Sequence, residues 1–436
     1  GPISLGVAAS TDVVWMWSGA VTSHSAVVKA KLESGTQQAK LRVNPLSDSG
    51  TALEIPAKGF AAADPDGVVT FHLKGLQPNE EYRYIVETSS GPGAPGRLRT
   101  FADGPMSFRV GFASCATTGS NHRIFDTLRE LNLLLFIHMG DLHYENIRGN
   151  EPSLFRRAYE RVLTSPRQGA FYRSTPIAYV WDDHDYGPND ADGSSSSKPA
   201  ALETYQQNVP HYPLSPVGGH VETIQQAFTI GRVRFLVIDP RAERMSEEEP
   251  DGPQKTMLGE DQLDWLRREL RSASARFPLV VLVNGVPWIT KNKPGSGHGW
   301  EPYSHERTTI ADMIEQFGLT HRLIMLSGDG HMVAIDDGTN SNYASDRAPN
   351  ERAFPVVHGA PLDRFPRIKG GPYSHGVFAP NTWFPLHKAK QFGLMDLQDD
   401  GPRIRVELSC RDSKGKILKD LVLRMECDQA GCEVVE

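Results

Sequence analysis

Six largely apolar runs lie between residues 107 and 327, and each stops at residues able to hold a metal ion or an anion. They span 107–113, 133–139, 176–181, 233–238, 279–284 and 322–327. Runs of Val, Ile, Leu and Phe without polar alternation predict strands covered on both faces. Helical stretches lie between them. The clearest is 262–276, where Leu263, Leu266 and Leu270 recur at helical spacing among charged residues. The alternation constrains this part of the chain to the α/β class. In an open α/β sheet, ligands bind outside the carboxyl ends of the strands. The polar exits therefore mark the place to look for chemistry.

The exits are, in order, Ser114-Cys115; Asp141 and Tyr144; Asp182, Asp183, His184 and Asp185; Asp239 and Arg241; Asn284; and Asp329 with His331. Asp and Asn also serve as caps and turn residues, so no single exit is decisive. Capping does not account for the added cysteine, tyrosine and two histidines. Hydrolysis of a phosphate ester does: it needs a hydroxide at moderate pH and neutralised phosphoryl charge, and a two-metal site supplies both. Asp141 is suited to bridging two ions. A Cys115 thiolate and a Tyr144 phenolate favour a trivalent Lewis acid, with iron the obvious candidate, while Asp183 serves a second, harder ion. His184 is placed to hydrogen-bond substrate or protonate the leaving oxygen. The competing readings are a small buried thiol at Cys115 and a core aromatic at Tyr144.

Composition narrows the function classes. The chain carries a formal net charge of −7 with no basic stripe, which argues against a dedicated nucleic-acid binder. No apolar run reaches the roughly 18 residues of a membrane span. The Gly-rich string near residues 295–299 lacks the Gly-Lys-Ser/Thr ending of a phosphate-cradling loop. No leader is legible, but Gly1-Pro2 reads as a protease scar, so a leader could have been cut away. Cys427 and Cys432 are close enough to close a small loop, either as a disulfide or as two reduced thiols.

The first hundred residues differ from the rest. Short strand-like stretches at 13–17, 26–32, 67–73, 82–87 and 96–101 are separated by turn clusters with no helical pattern, which predicts a β-sandwich over 3–102. Residues 102–105 form the expected linker and 107–436 the catalytic unit. Residues 377–434 return to strand-like segments, read as hairpins finishing the sheets. Two long loops, 187–200 and 290–306, are expected to border a cleft, with His298 and His305 as weaker substrate contacts.

Read together, Ser114-Cys115, Gly140-Asp141-x-x-Tyr144, Trp181-Asp182-Asp183-His184-Asp185, Asp239-x-Arg241, the Gly259-x-x-Gln262-x-x-Trp265-Leu266 helix and Gly328-Asp329-x-His331 resemble the PhoD-like alkaline phosphatases and phosphodiesterases. These belong to the calcineurin-like metallophosphatase superfamily, and the resemblance covers roughly residues 107–400. It implies a four-layer metallophosphatase-type α/β sandwich flanked by helices and preceded by a fibronectin-like β-domain. It also implies Fe3+ and Ca2+ at the site. Cys115, Asp141 and Tyr144 would hold the iron, Asp141 and Asp183 the second metal, and Asp329 and His331 would complete the set. His184 and Asp182 are the catalytic candidates; Asn189, Arg241 and Asn284 are the substrate-binding candidates. The expected activity is hydrolysis of phosphodiesters, phosphomonoesters or both, by a monomeric secreted, periplasmic or cell-surface protein. A phospholipase D of the same family and an inactive binding protein are the alternatives. Asn284-Gly-Val-Pro-Trp288 offers no histidine ligand at the fifth exit, which departs from the superfamily pattern.

Overall fold

The computed structural model describes residues 8–48, 51–57, 66–291, 299–380 and 390–435. His298, the start of the expected sandwich unit and the last residue of the catalytic unit lie outside the described residues.

Two sheets frame the molecule. One has ten strands, in the spatial order Gly431–Val435, Ile417–Asp428, Ile404–Asp412, Gln391–Asp399, Phe108–Ala113, Leu135–His138, Ile177–Tyr179, Val13–Gly19, Ser25–Leu32 and Val68–Lys74. The other has seven, in the order Gln226–Ile230, Val233–Val237, Leu279–Val283, Leu323–Ser327, Val356–His358, Val333–Asp336 and Val377–Phe378. The six apolar runs therefore divide between two sheets, three parallel strands in each.

Side-chain alternation explains how both faces of the second sheet are buried. Val233, Phe235, Val237, Leu279, Val281, Val283, Ile324 and Leu326 join the large core that also contains Phe108, Val110 and Phe112 of the first sheet. The intervening Leu236, Val280, Leu282, Leu323 and Met325 join a second core with Trp265, Leu266 and Leu270 of helix Glu260–Arg276 and Ile310 and Ile314 of helix Ser304–Gln316. Helices Ile124–Glu130, Pro152–Leu163, Pro166–Ser174 and Lys198–Asn208 add their buried faces to the large core. The layers are helices, sheet, sheet and helices, as the resemblance implies. No helix among the described residues is long and apolar enough to cross a membrane.

The N-terminal β-region has a sheet of its own, in which Lys40–Pro45 pairs with Leu53–Pro56 and Glu81–Thr88, and the last of these also with Gly96–Arg99. The 40–45 and 53–56 strands carry no clear signal in the sequence. Three other N-terminal strands extend the ten-stranded sheet, joined to it through the parallel pair Gly19↔Ile177. Trp17 Nε1 donates to the Asn208 carbonyl at 2.8 Å, and Tyr84 OH to the Arg173 carbonyl at 2.9 Å. Cys427 and Cys432 form a disulfide, while Cys115 and Cys410 are free.

The two expected loops are shorter than anticipated. Residues 198–200 begin a helix, and 301–306 form a short turn of 3-10 helix and the start of Ser304–Gln316. Lys198-Pro199 and Glu301-Pro302 place proline in the first turn of each, where its missing N–H costs nothing.

Candidate metal centre

Strand exits from the two sheets meet at one point. Met139 N donates to the Ala113 carbonyl at 2.8 Å and Cys115 N to the Gly140 carbonyl at 3.1 Å, so the first two exits run side by side. Across the sandwich, Asp329 N donates to Ser114 Oγ at 3.1 Å. Glycines permit this approach. A Cβ on Gly140 would lie 2.5 Å from the Asp182 Cβ, and one on Gly328 would lie 2.7 Å from Ser114 Oγ.

The backbone is strained where the functional side chains project. Cys115, Asp141, Asp329 and His331 have φ of 66°, 53°, 57° and 52°. Left-handed backbone at non-glycine residues is costly and gathers at functional sites. All four residues are buried.

The donors form three overlapping groups. Cys115, Asp141 and His331 place one ligand atom each within 4.8 Å of one another. So do Asp141, Asp183 and His184, and so do Asp141, Asp182, Asp183 and Asp329. Asp141 belongs to all three. Its Oδ2 lies 3.5 Å from Cys115 Sγ and 3.1 Å from Tyr144 OH, and its Oδ1 accepts from the His184 backbone N at 3.2 Å. Tyr144 OH also lies 3.2 Å from His331 Nε2. His331 Nδ1 bonds the Phe365 carbonyl at 2.9 Å, which assigns the proton to Nδ1 and leaves the Nε2 lone pair facing the group.

Electrostatics make this cluster unfavourable without a cation. Burial and the charges of Asp141 and Asp329 push the Cys115 thiol well up. Burial and Asp141 do the same to the Tyr144 phenol. Burial and the neighbouring carboxylates push Asp141 up as well. Two buried carboxylate oxygens, Asp182 Oδ2 and Asp183 Oδ1, have no hydrogen-bond partner among the described residues. A metal ion would satisfy those oxygens and ionise the thiol and phenol, so the donor set fits one.

Two protein cations already balance part of the charge. Arg241 Nε donates to Asp182 Oδ1 at 2.6 Å, its Nη1 to the Ala191 carbonyl at 3.2 Å, and its Nη2 lies 4.0 Å from Asp183 Oδ1. Lys369 Nζ donates to Asp329 Oδ1 at 2.8 Å. Burial alone would raise Asp329, but the charges of Lys369 and Arg241 hold it well below the usual carboxylate range.

His184 has its Nδ1 2.6 Å from Asn146 Oδ1, and its Nε2 3.9 Å from Asp183 Oδ2. Its ring lies against that of Tyr144, centroids 4.4 Å apart. Burial keeps its pKa below the ordinary histidine value, so the imidazole is neutral at neutral pH.

Other strand-exit residues serve the scaffold. Asp185 accepts from Asp182 N at 2.8 Å, Leu142 N at 2.9 Å and Tyr179 OH at 2.6 Å, capping the short helix Asp183–Tyr186. Asp239 accepts from Trp181 Nε1, Ile224 N and Arg241 N. The Asn284 amide is occupied by Trp300 Nε1 at 3.1 Å and the Met325 sulfur at 3.4 Å. Asn189 is exposed and donates to Asp190 Oδ2, while the neighbouring Asp190 N donates to Asp183 Oδ2 at 2.7 Å. His305 is exposed on helix Ser304–Gln316. The residues that sequence reasoning passed over are Asn146, Arg364 and Lys369. They lie in irregular segments with neither periodicity nor motif.

In sequence, alkaline phosphatase D of Bacillus subtilis (strain 168) is 24% identical over 326 residues, 64% of this chain and 56% of that protein. The chain thus spans a little over half the length of that curated relative. The solved structure of PhoD aligns with a TM-score of 0.71 at 17% identity, over 97% of this chain and 92% of its own. Purple acid phosphatase PPD1 from yellow lupin (Lupinus luteus) seeds gives 0.61 at 15% identity, over 93% and 72%. These structural likenesses establish a metallophosphatase-type fold. The family model of PhoD-like phosphatases matches residues 109–407, which contain all six strand exits. The chain belongs to the PhoD-like phosphatase family.

Proposed function

We propose that this protein hydrolyses phosphate esters at a centre holding Fe3+ and Ca2+, with Cys115, Asp141, Tyr144, Asp183, Asp329 and His331 as the protein ligands. The observation that carries the reading is the convergence on Asp141, whose carboxylate is shared by a thiol–imidazole group and an all-carboxylate group. Thiol, phenol and imidazole favour a trivalent ion such as iron. The carboxylate group favours a hard divalent ion such as calcium. When bound, the metals would neutralise phosphoryl charge and make water acidic enough to attack at moderate pH.

The chain's own residues orient and move protons. With Nδ1–H donated to Asn146, His184 presents a proton-accepting Nε2 toward Asp183, suited to moving a proton between water and the leaving oxygen. Arg241 fixes the Asp182 and Asp183 carboxylates that face it. Residues 3–102 would form a β-sandwich unit that shares a sheet with a catalytic unit of 107–436. Phosphodiesters and phosphomonoesters are the substrate class, and export to an oxidising compartment accords with the Cys427–Cys432 disulfide.

The test is turnover of bis-p-nitrophenyl phosphate and p-nitrophenyl phosphate, with elemental analysis of the same preparation. Turnover of at least one by the wild type, its loss in Asp183→Ala, and bound iron are expected. A metal-free protein, or one whose turnover survives chelation, would sink the reading.

A further inference from the structure

The three cations at the centre are not equivalent. Arg241 and Lys369 spend their charge on Asp182, Asp183 and Asp329. Arg364 does not. Its guanidinium carbon sits 3.9 Å from the centroid of the Tyr144 ring, yet its nitrogens make no hydrogen bond or ion pair among the described residues. Its Nε is buried in that state. A buried guanidinium N–H without a partner is costly and rare.

The backbone around it is fixed, and the side chain is half-buried against Tyr144. Leu362 N donates to the Ser114 carbonyl at 3.0 Å and Asp363 N to the Cys115 carbonyl at 3.2 Å. Arg367 N donates to the His331 carbonyl at 3.0 Å, and the Phe365 carbonyl binds His331 Nδ1. Arg364 is therefore strapped between the exits that carry Cys115 and His331. Its positive charge reaches Tyr144, His184 and His331 together.

We infer that Arg364 is the substrate-binding residue that holds the non-bridging phosphoryl oxygens, its N–H fork, without a partner among the described residues, supplying the paired donors that a phosphate accepts. A planar guanidinium with vacant donors matches phosphate oxygens in a two-point contact that an ammonium cannot reproduce. Stacking on Tyr144 orients the fork while leaving its edge available. The inference rests on the phosphate-ester reading of the site, but its binding test does not require turnover.

The experiment compares wild type, Arg364→Ala and Arg364→Lys in the metal-loaded protein. Inorganic phosphate binding is measured by calorimetry, metal content by elemental analysis, and KM and kcat with the two nitrophenyl esters. Arg364→Ala should weaken phosphate binding on the order of 10- to 100-fold, the range for a hydrogen bond to a charged group. KM should rise in parallel at unchanged metal content, and Arg364→Lys should recover only part of the loss. Unchanged phosphate affinity at full metal content would overturn the inference. So would a fall in metal content that accounts for the whole effect, because Arg364 would then be supporting Tyr144 instead. Turnover of neither ester by the wild type would count against the hydrolase reading alone, since the phosphate titration still decides the role of Arg364.

Discussion

Tyr144 and His331, 187 positions apart in sequence, meet with the phenol oxygen 3.2 Å from Nε2. The contact joins the exit of Leu135–His138 in one sheet to that of Leu323–Ser327 in the other. The centre therefore exists only when the two sheets are docked.

Tyr144→Phe removes one donor while keeping the ring that Arg364 and His184 lie against. If iron is held by the thiolate and phenolate, visible absorbance and turnover should fall together, as they should in Cys115→Ala. Loss of one ligand from the site warrants at least a tenfold loss of metal affinity, by comparison with the effect of supporting residues alone. Absorption spectra and iron content of the purified variants check it. A variant with wild-type colour would remove Tyr144 from the ligand set.

Lys369→Met keeps most of the length of the side chain and deletes its charge, leaving Asp329 buried beside other carboxylates. In the metal-free protein this should cost about 3–5 kcal/mol, the range for breaking a buried ion pair from one side. Bound metal should restore much of it by replacing the lost charge. Denaturant unfolding with and without metal measures both. The sign with pH follows from the depressed Asp329. Its contribution to stability is present above the unfolded carboxylate range and is lost as pH falls through the lower folded value. Removing Lys369 should move that loss to higher pH.

His138 gives an independent pH prediction. Both ring nitrogens are buried without a partner among the described residues, and burial with the nearby His143 pushes its pKa down to about 3. An unfolded histidine titrates near 6.5. Between those values the unfolded chain binds more protons, so stability is intact above pH 6.5 and falls on acidification by up to about 1.4 kcal/mol per unit. His138→Phe should show a shallower acid limb than wild type. Denaturant midpoints at pH 7, 6 and 5 would diverge on that account; parallel curves would show that protonation of His138 is not what the fold resists.

Gly140→Ala tests the close approach of the second and third exits. The new methyl would meet the Asp182 backbone N at 2.6 Å and Cβ at 2.5 Å, at a φ of 107° that favours glycine. Overpacking and backbone strain together should cost about 2–5 kcal/mol. Thermal unfolding should record a lower Tm, and metal affinity should drop because Asp141 follows directly in the chain.

Much of the centre is legible in the sequence because strand exits are local events: an apolar run ends, and the next polar side chains sit on the rim. Cys115, Asp141, Tyr144, Asp183, Asp329 and His331 are read in this way, and the structure brings them together. The same logic cannot separate a ligand from a cap. Asp185 and Asp239 occupy the same kind of position as Asp183, yet their oxygens are taken by backbone N–H groups and by Tyr179 or Trp181. The difference lies in which donors reach each carboxylate, Leu142 N for Asp185 and Ile224 N for Asp239 among them, and the spacing at the exit does not show it. Lys369 and Arg364 show the converse. They reach the centre through a segment held by hydrogen bonds to residues about 250 and 35 positions earlier, and such bonds leave no spacing to read. The division of the six runs between two sheets is equally silent, since each run is largely apolar in either arrangement.

The single parallel pair Gly19↔Ile177 has a practical consequence for anyone seeking a minimal catalytic fragment. Excising the N-terminal β-region would turn Ile177–Tyr179, a buried apolar strand, into a raw sheet edge, and would strip Trp17 and Tyr84 from the helices they bond. Exposed apolar edges recruit other chains. A shortened protein is therefore expected to come out of expression as inclusion bodies, and the three residues that lead into Trp181-Asp182-Asp183 would be the first to pair wrongly.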